Sequence, residues 1–172
     1  MTDRRIFITG GLRLLVVLAA FLPVIAAADA DVVDARLMTL SLAKDVAEKA
    51  VQACREAGYQ VSVVVVDRGG GPQVILRDVY ASRFTIELAQ RKANTVVLSG
   101  TSSSRMRVDR ADIRAELNES RDLLVLDGAV PIRAGGVLLG AVGVSGAPGG
   151  DKDEACARKA VERVQERLDF LD

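Results

Sequence analysis

VPIRAGGVLLGAVGVSG, residues 130–146, is the stretch from which the rest of the chain can be read. Two apolar runs rich in β-branched residues, Val130–Arg133 and Val137–Ser145, flank Ala134-Gly135-Gly136. A short glycine turn between such runs predicts an antiparallel hairpin. Gly140 and Gly143 fall inside the second strand, where glycine costs stability unless another backbone or a ligand comes close. The two positions therefore mark a close approach. Behind the hairpin a glycine-rich turn opens DKDEACARKAVERVQERL, residues 151–168, in which Ala157, Ala160, Val161, Val164 and Leu168 recur at helical spacing from about Asp153 to Leu168.

Upstream the same alternation of strand and helix signals continues. Thr39 or Ser41 can cap a helix whose Ala43, Val46, Ala47, Ala50, Cys54 and Ala57 step by three and four towards Gly58. Its apolar face is narrow and small, so it should lie close against a sheet. Val61–Val66 is apolar on both faces and predicts a central buried strand. Arg68-Gly69-Gly70-Gly71-Pro72 then turns the chain into a second strand, Gln73–Arg77.

From Ala81 to about Leu98 the period is helical, with Phe84, Ile86, Leu88, Ala89, Ala93, Val96 and Val97 apolar. Arg83, Glu87, Arg91 and Lys92 are left for solvent, and Glu87 is spaced to pair with Arg91 or Lys92. Thr101–Ser120 is polar and predicts a long connection holding a short helix. Leu123–Val125 is further strand material. Hairpins separated by helices give an α+β fold, a mostly antiparallel sheet with helical cover.

The first thirty residues do not belong to that pattern. Arg4, Arg5 and Arg13 precede an apolar run from Leu14 to Ala28 that ends in three alanines, as in a cleaved export signal over residues 1–28. The run is short and interrupted by proline for a membrane span. Arg4-Arg5-Ile6-Phe7-Ile8 also resembles the twin-arginine motif. Residues 29–36 then form a flexible lead-in and 37–172 a single domain.

Cleavage after Ala28 removes three of the 23 basic residues and one of the 23 acidic ones, leaving a charge near −2. With six aromatics and no tryptophan, the chain offers neither the basic field nor the stacking surface that nucleic acid requires. Its 49% apolar content suffices for a packed core. Cys54 and Cys156 lie in the first and last expected helices, and an oxidising compartment would let them pair if those helices are neighbours. Unpaired, they would be small core hydrophobes.

There is no histidine in the chain. That excludes catalytic triads built on imidazole and imidazole-ligated zinc, copper and haem. The glycine turn at 146–150 is not a phosphate loop, since no Lys-Ser or Lys-Thr pair follows it and the glycines lack GxGxxG spacing. Asp151, Asp153 and Glu154 already place negative charge at the helix start, with Asp151 and Glu154 at the spacing of a capping box. Two readings remain for these acids: a self-capped turn, or a cleft that binds a hydroxyl, an amine or a metal ion.

Pro131-Ile132, Gly136, Gly140, Gly143, Ser145-Gly146, and Asp153-Glu154 with Ala157 resemble the C-terminal signature of the GlcG/HbpS family. Asp67 with Gly69-Gly70, Arg77-Asp78, and Lys92-Ala93 with Thr95 fit the same family upstream. The likeness runs from about Leu37 to Leu168. It implies a profilin-like five-stranded antiparallel sheet, homo-oligomers, and in some members the binding or sensing of haem; a related domain is attached to certain corrinoid adenosyltransferases. Carried over residue by residue, it implies ligand contacts at Asp67, Gly70, Arg77, Lys92, Ser145, Gly146, Asp153 and Glu154.

Without histidine, an axial ligand to haem iron would have to be Met106, Tyr59, Tyr80, a cysteine, a hydroxyl such as Thr95 or Ser145, or water. Met106 stands between Arg105 and Arg107, which could meet propionates; otherwise it fills a gap in the packing. The leading expectation is an exported, oligomeric, non-enzymatic protein binding a small ligand, a haem-like tetrapyrrole first. The alternatives are an enzyme using Asp67, Asp151, Asp153 and Glu154 on a small hydroxylated metabolite with a divalent cation, and a structural or signalling subunit contacting its partner through Thr101–Ser120.

Overall fold

The computed structural model describes residues 34–169. The export signal over 1–28 and the arginine pair within it lie outside the described residues. No helix among those described is long and apolar enough to cross a membrane.

Helix α1 (Leu40–Glu56) is capped by Thr39, whose hydroxyl accepts from Leu42 N at 3.2 Å, and its small apolar face is buried from Ala43 to Cys54, while Ala57, at the C-cap, is exposed. It stops where Gly58 takes a positive φ of 83°. Strands β1 (Ser62–Asp67) and β2 (Pro72–Arg77) form the first hairpin, and helix α2 (Phe84–Ser99) follows. Two short helices, α3 (Ser103–Asp109) and α4 (Arg114–Glu119), occupy the polar connection, where the sequence suggests one. Strands β3 (Ala129–Ala134) and β4 (Val137–Ser145) form the second hairpin, and α5 (Gly150–Asp169) returns along the sheet.

The sheet has four strands in the order β2-β1-β4-β3, every neighbouring pair antiparallel. The five strands implied by the family resemblance are thus four here. Leu123–Val125 is not a strand. Leu124 N donates to Arg91 O and Thr95 Oγ1, and Val125 N to Asn118 Oδ1, so these amides are bonded to α2 and to a loop side chain.

The valines of β1 are divided between two layers. Val63 and Val65 face the core beneath α1 and α5, with Val130, Ile132, Val142 and Val144. Val64 and Val66 face α2, with Ala89, Ala93, Val96, Ala129 and Ala141. The close approach foreseen at the two glycines of β4 is real: a Cβ on Gly143 would lie 2.0 Å from Ala89 O, and one on Gly140 would lie 2.1 Å from Val66 O. Helix α2 therefore sits directly on strand backbone. On the other layer, Cys54 of α1 and Cys156 of α5 are joined by a disulfide, with Cα atoms 5.3 Å apart.

Candidate functional site

Lys92 and Arg91 do not form a solvated face. Lys92 is 1% exposed, and its Nζ donates to Asp153 Oδ2 at 2.8 Å and to Val144 O at 3.1 Å. Ala147 N donates to the other Asp153 oxygen at 2.9 Å. Burial pushes the Asp153 carboxyl above its usual 3.8, while the Lys92 ammonium pulls it back down. Gly128, at φ 137°, leaves the room this pair needs: a Cβ there would lie 2.7 Å from Lys92 Nζ. Arg91 is turned to the connection, where it donates to the carbonyls of Asn118, Ser120 and Leu123.

Glu154 faces α3. Its carboxylate accepts from Ser104 N at 3.0 Å, Ser104 Oγ at 2.6 Å, Ser103 Oγ at 3.3 Å and Arg158 Nη2 at 2.7 Å. Ser103 Oγ in turn accepts from Ala129 N at 3.0 Å. The other end of α3 is held by Arg107, whose Nε donates to Asp127 Oδ1 at 2.6 Å. The capping box expected between Asp151 and Glu154 is therefore absent, since Glu154 reaches sideways to a neighbouring helix. The negative charge at this helix start is matched: Asp153 by Lys92, Glu154 by Arg158, and Asp151 by Lys152.

The other expected residues are dispersed. Asp67 closes its own turn, accepting from Gly69 N at 2.7 Å and Gly71 N at 3.0 Å, with Gly70 at the tip at φ 85°. Asp67 pairs with Gly140 in the first half of β4, whereas Asp153 lies beyond Ser145 at the far end of that strand, ~16 Å further along it at ~3.3 Å per residue. The four acids proposed for an enzymatic cluster are not brought together. No group of three or more metal-ligating side chains occurs among the described residues. Arg77 donates to Ala81 O at 2.6 Å, Ser145 pairs with Ser62, and a Cβ on Gly146 would lie 2.9 Å from Gln60 O.

Met106 is buried on α3 and lines a groove of about 420 Å3 with Leu98, Ile113, Leu117, Asp109 and Arg110. Both flanking arginines have carboxylate partners, Arg105 on Asp109 and Arg107 on Asp127. Of the other axial candidates, the two cysteines are consumed by their disulfide. Thr95 Oγ1 is bonded to Arg91 O and Leu124 N. Leu98, Arg110, Ile113 and Leu117 escape a sequence reading because the connection carrying three of them has no sustained period.

A family model described as "Haem degrading protein HbpS-like" matches residues 38–162. The chain belongs to the HbpS-like family. A crystal structure of HbpS is 35% identical, covering 81% of this chain and 99% of that one with a TM-score of 0.72. A double mutant of Streptomyces reticuli HbpS is 34% identical over 81% of this chain and 95% of that one, again at 0.72. A PduOC–haem complex is 22% identical over 74% and 94% at 0.65, a likeness of fold. A search of curated proteins finds no match. In this HbpS-like chain Lys92, Asp153 and Glu154 are among the residues that carry the resemblance, and their contacts join α2, α3 and α5 around the end of β4.

Proposed function

We propose that this HbpS-like protein is exported and binds haem or a related tetrapyrrole in the groove between the end of α2 and helices α3 and α4. The observation that carries the reading is the position of Met106. It places a thioether, a ligand haem iron accepts, on the wall of a groove whose apolar lining is Leu98, Ile113 and Leu117 and whose polar lining includes Ser99, Thr101 and Arg110. Leu98, Ile113 and Leu117 supply the surface for a flat macrocycle, and Arg110 stands at the rim, where it can exchange Asp112 for a propionate. The groove volume is in the range of small-molecule sites, ~300–1,000 Å3. Membership in a family described by haem chemistry supports the choice of ligand. Export is supported by the N-terminal sequence pattern and by the Cys54–Cys156 bond, which suits an oxidising compartment.

Haem bound here supplies an iron centre. The chain's own residues would bind and orient it: Met106 would ligate, the leucines and Ile113 would exclude water from one face, and Arg110 would hold the acidic edge. Titrating haem into the purified protein tests this by the Soret band. The expected result is a saturable shift at micromolar protein, lost or displaced in Met106→Ala and weakened at least tenfold in Leu98→Asp. Absence of any Soret change in the parent protein overturns the reading, and a Met106→Ala spectrum identical to the parent's overturns the ligand assignment.

A further inference from the structure

Three side chains of α2 fasten the segment 118–124 by its backbone. Arg91 donates to the carbonyls of Asn118, Ser120 and Leu123, Asn94 Nδ2 donates to Asp122 O at 3.2 Å, and Thr95 Oγ1 accepts from Leu124 N at 3.1 Å. The bond from Nδ2 also decides which way the Asn94 amide faces, because turning it over would set Oδ1 against Asp122 O, acceptor to acceptor. Oδ1 is therefore the atom on the other side, where it is buried and has no hydrogen-bond partner among the described residues. An acceptor stripped of water and left unanswered costs stability, and native chains keep few of them.

The element that covers this atom cannot answer it. Gly70, at φ 85°, sits over Oδ1 so closely that a Cβ there would lie 3.3 Å from it. Gly69 N and Gly71 N are taken by Asp67 Oδ1, and Gly70 N by Asp67 O. All three glycine N–H groups are spent inside the turn. Beside Asn94, the turn walls a hollow of about 520 Å3 with Gln90, Val97, Leu98, Asp122 and Leu123. No lysine or arginine lines it. Its one charged group is Asp122, which makes its hydrogen bonds through its backbone alone, so its exposed carboxylate is unpaired among the described residues.

We propose that this hollow binds a primary ammonium group carried on a short aliphatic body. The ammonium lies between the Asp122 carboxylate and Asn94 Oδ1 and gives one N–H to each, with the Gln90 amide oxygen in the same wall for the third. Val97, Leu98 and Leu123 cover the aliphatic part. An anion would meet acceptors and a like charge. A neutral alcohol brings one donor where an ammonium brings three, and it forgoes the ion pair. Oδ1 is reached when the tip of the turn shifts aside, a movement that glycine at 69, 70 and 71 permits. Asp122 needs no such movement, since α2 already holds its backbone. This inference is independent of any haem, and it uses neither Met106 nor Arg110.

Calorimetric titration of the purified protein with hexylamine, hexan-1-ol and hexanoate, which share one aliphatic body, is the test. Hexylamine should bind saturably, hexan-1-ol at least tenfold more weakly, and hexanoate not at all. Asp122→Asn, at an exposed position, should weaken hexylamine at least tenfold and leave the thermal melt unchanged. In the parent, hexylamine should move the amide resonances of Gly69, Gly70 and Gly71 before those of other residues. A lysine-containing peptide that binds more tightly than hexylamine would identify the ammonium as that of a protein side chain, and one that binds more weakly as that of a free amine; both keep the ammonium site. Absence of saturable hexylamine binding overturns the proposal, as does equal affinity for the amine and the alcohol. So does an Asp122→Asn variant that binds hexylamine as the parent does, or saturation that leaves the glycine resonances in place, since Asn94 Oδ1 would then stay covered.

Discussion

The Lys92–Asp153 pair shows how much a single residue is constrained by what cannot be solvated around it. Both side chains are almost completely enclosed, and together they hold Val144 O and Ala147 N at the end of β4. A buried pair owes little net stability to its own attraction, because desolvating two ions offsets it. Removing one partner is another matter. Asp153→Asn leaves an ammonium buried without a counter-charge and should cost ~3–5 kcal/mol in chemical denaturation, whereas loss of a helix cap alone would cost ~1 kcal/mol. Lys92→Met combined with Asp153→Leu should recover most of the loss. A double variant as unstable as the single one would show that backbone support, not charge, dominates.

None of this was legible from the sequence around Lys92. The spacing of residues 84–97 places Lys92 next to Arg91 on what reads as a polar stripe, and its partners are 52 and 61 positions away. Gly143 was legible: glycine within a strand already implied a close approach, and Ala89 O is what approaches.

At the scale of elements, helices and paired strands were readable because each carries a sustained period, 3.6 for α1, α2 and α5 and a β-branched run for β1 and β4. Leu123–Val125 was not, because three apolar residues look the same in a strand and in a loop packed beneath a helix. The disulfide belongs to this scale too. It ties α1 to α5 across a separation of 102 residues, and α5 carries Asp153 and Glu154, which anchor α2 and α3. Cys54→Ser with Cys156→Ser should therefore lower stability by ~2–5 kcal/mol, the range for a native bridge closing a long loop. Thermal melts with and without reductant check this. Equal melting of the parent and the double serine variant under oxidising conditions would show that the bridge contributes nothing.

The whole molecule's response to acid follows from where its carboxylates are held. Asp78 is buried after β2, where Arg55 of α1 grips it with both Nε and Nη2 and holds its carboxyl below the usual 3.8. A carboxyl whose folded value is depressed stabilises the protein at pH above the unfolded value, and that stability is lost as pH falls through about 4 and below. Asp153, with its value raised by burial, works in the opposite sense: its folded form takes up a proton before the unfolded chain does. Acid lability should therefore track the Arg55–Asp78 contact. Arg55→Met should flatten the fall of unfolding free energy between about pH 5 and pH 3 and lower the plateau at neutral pH. A parent and an Arg55→Met variant that lose unfolding free energy equally over that interval would show that another carboxylate sets the acid response.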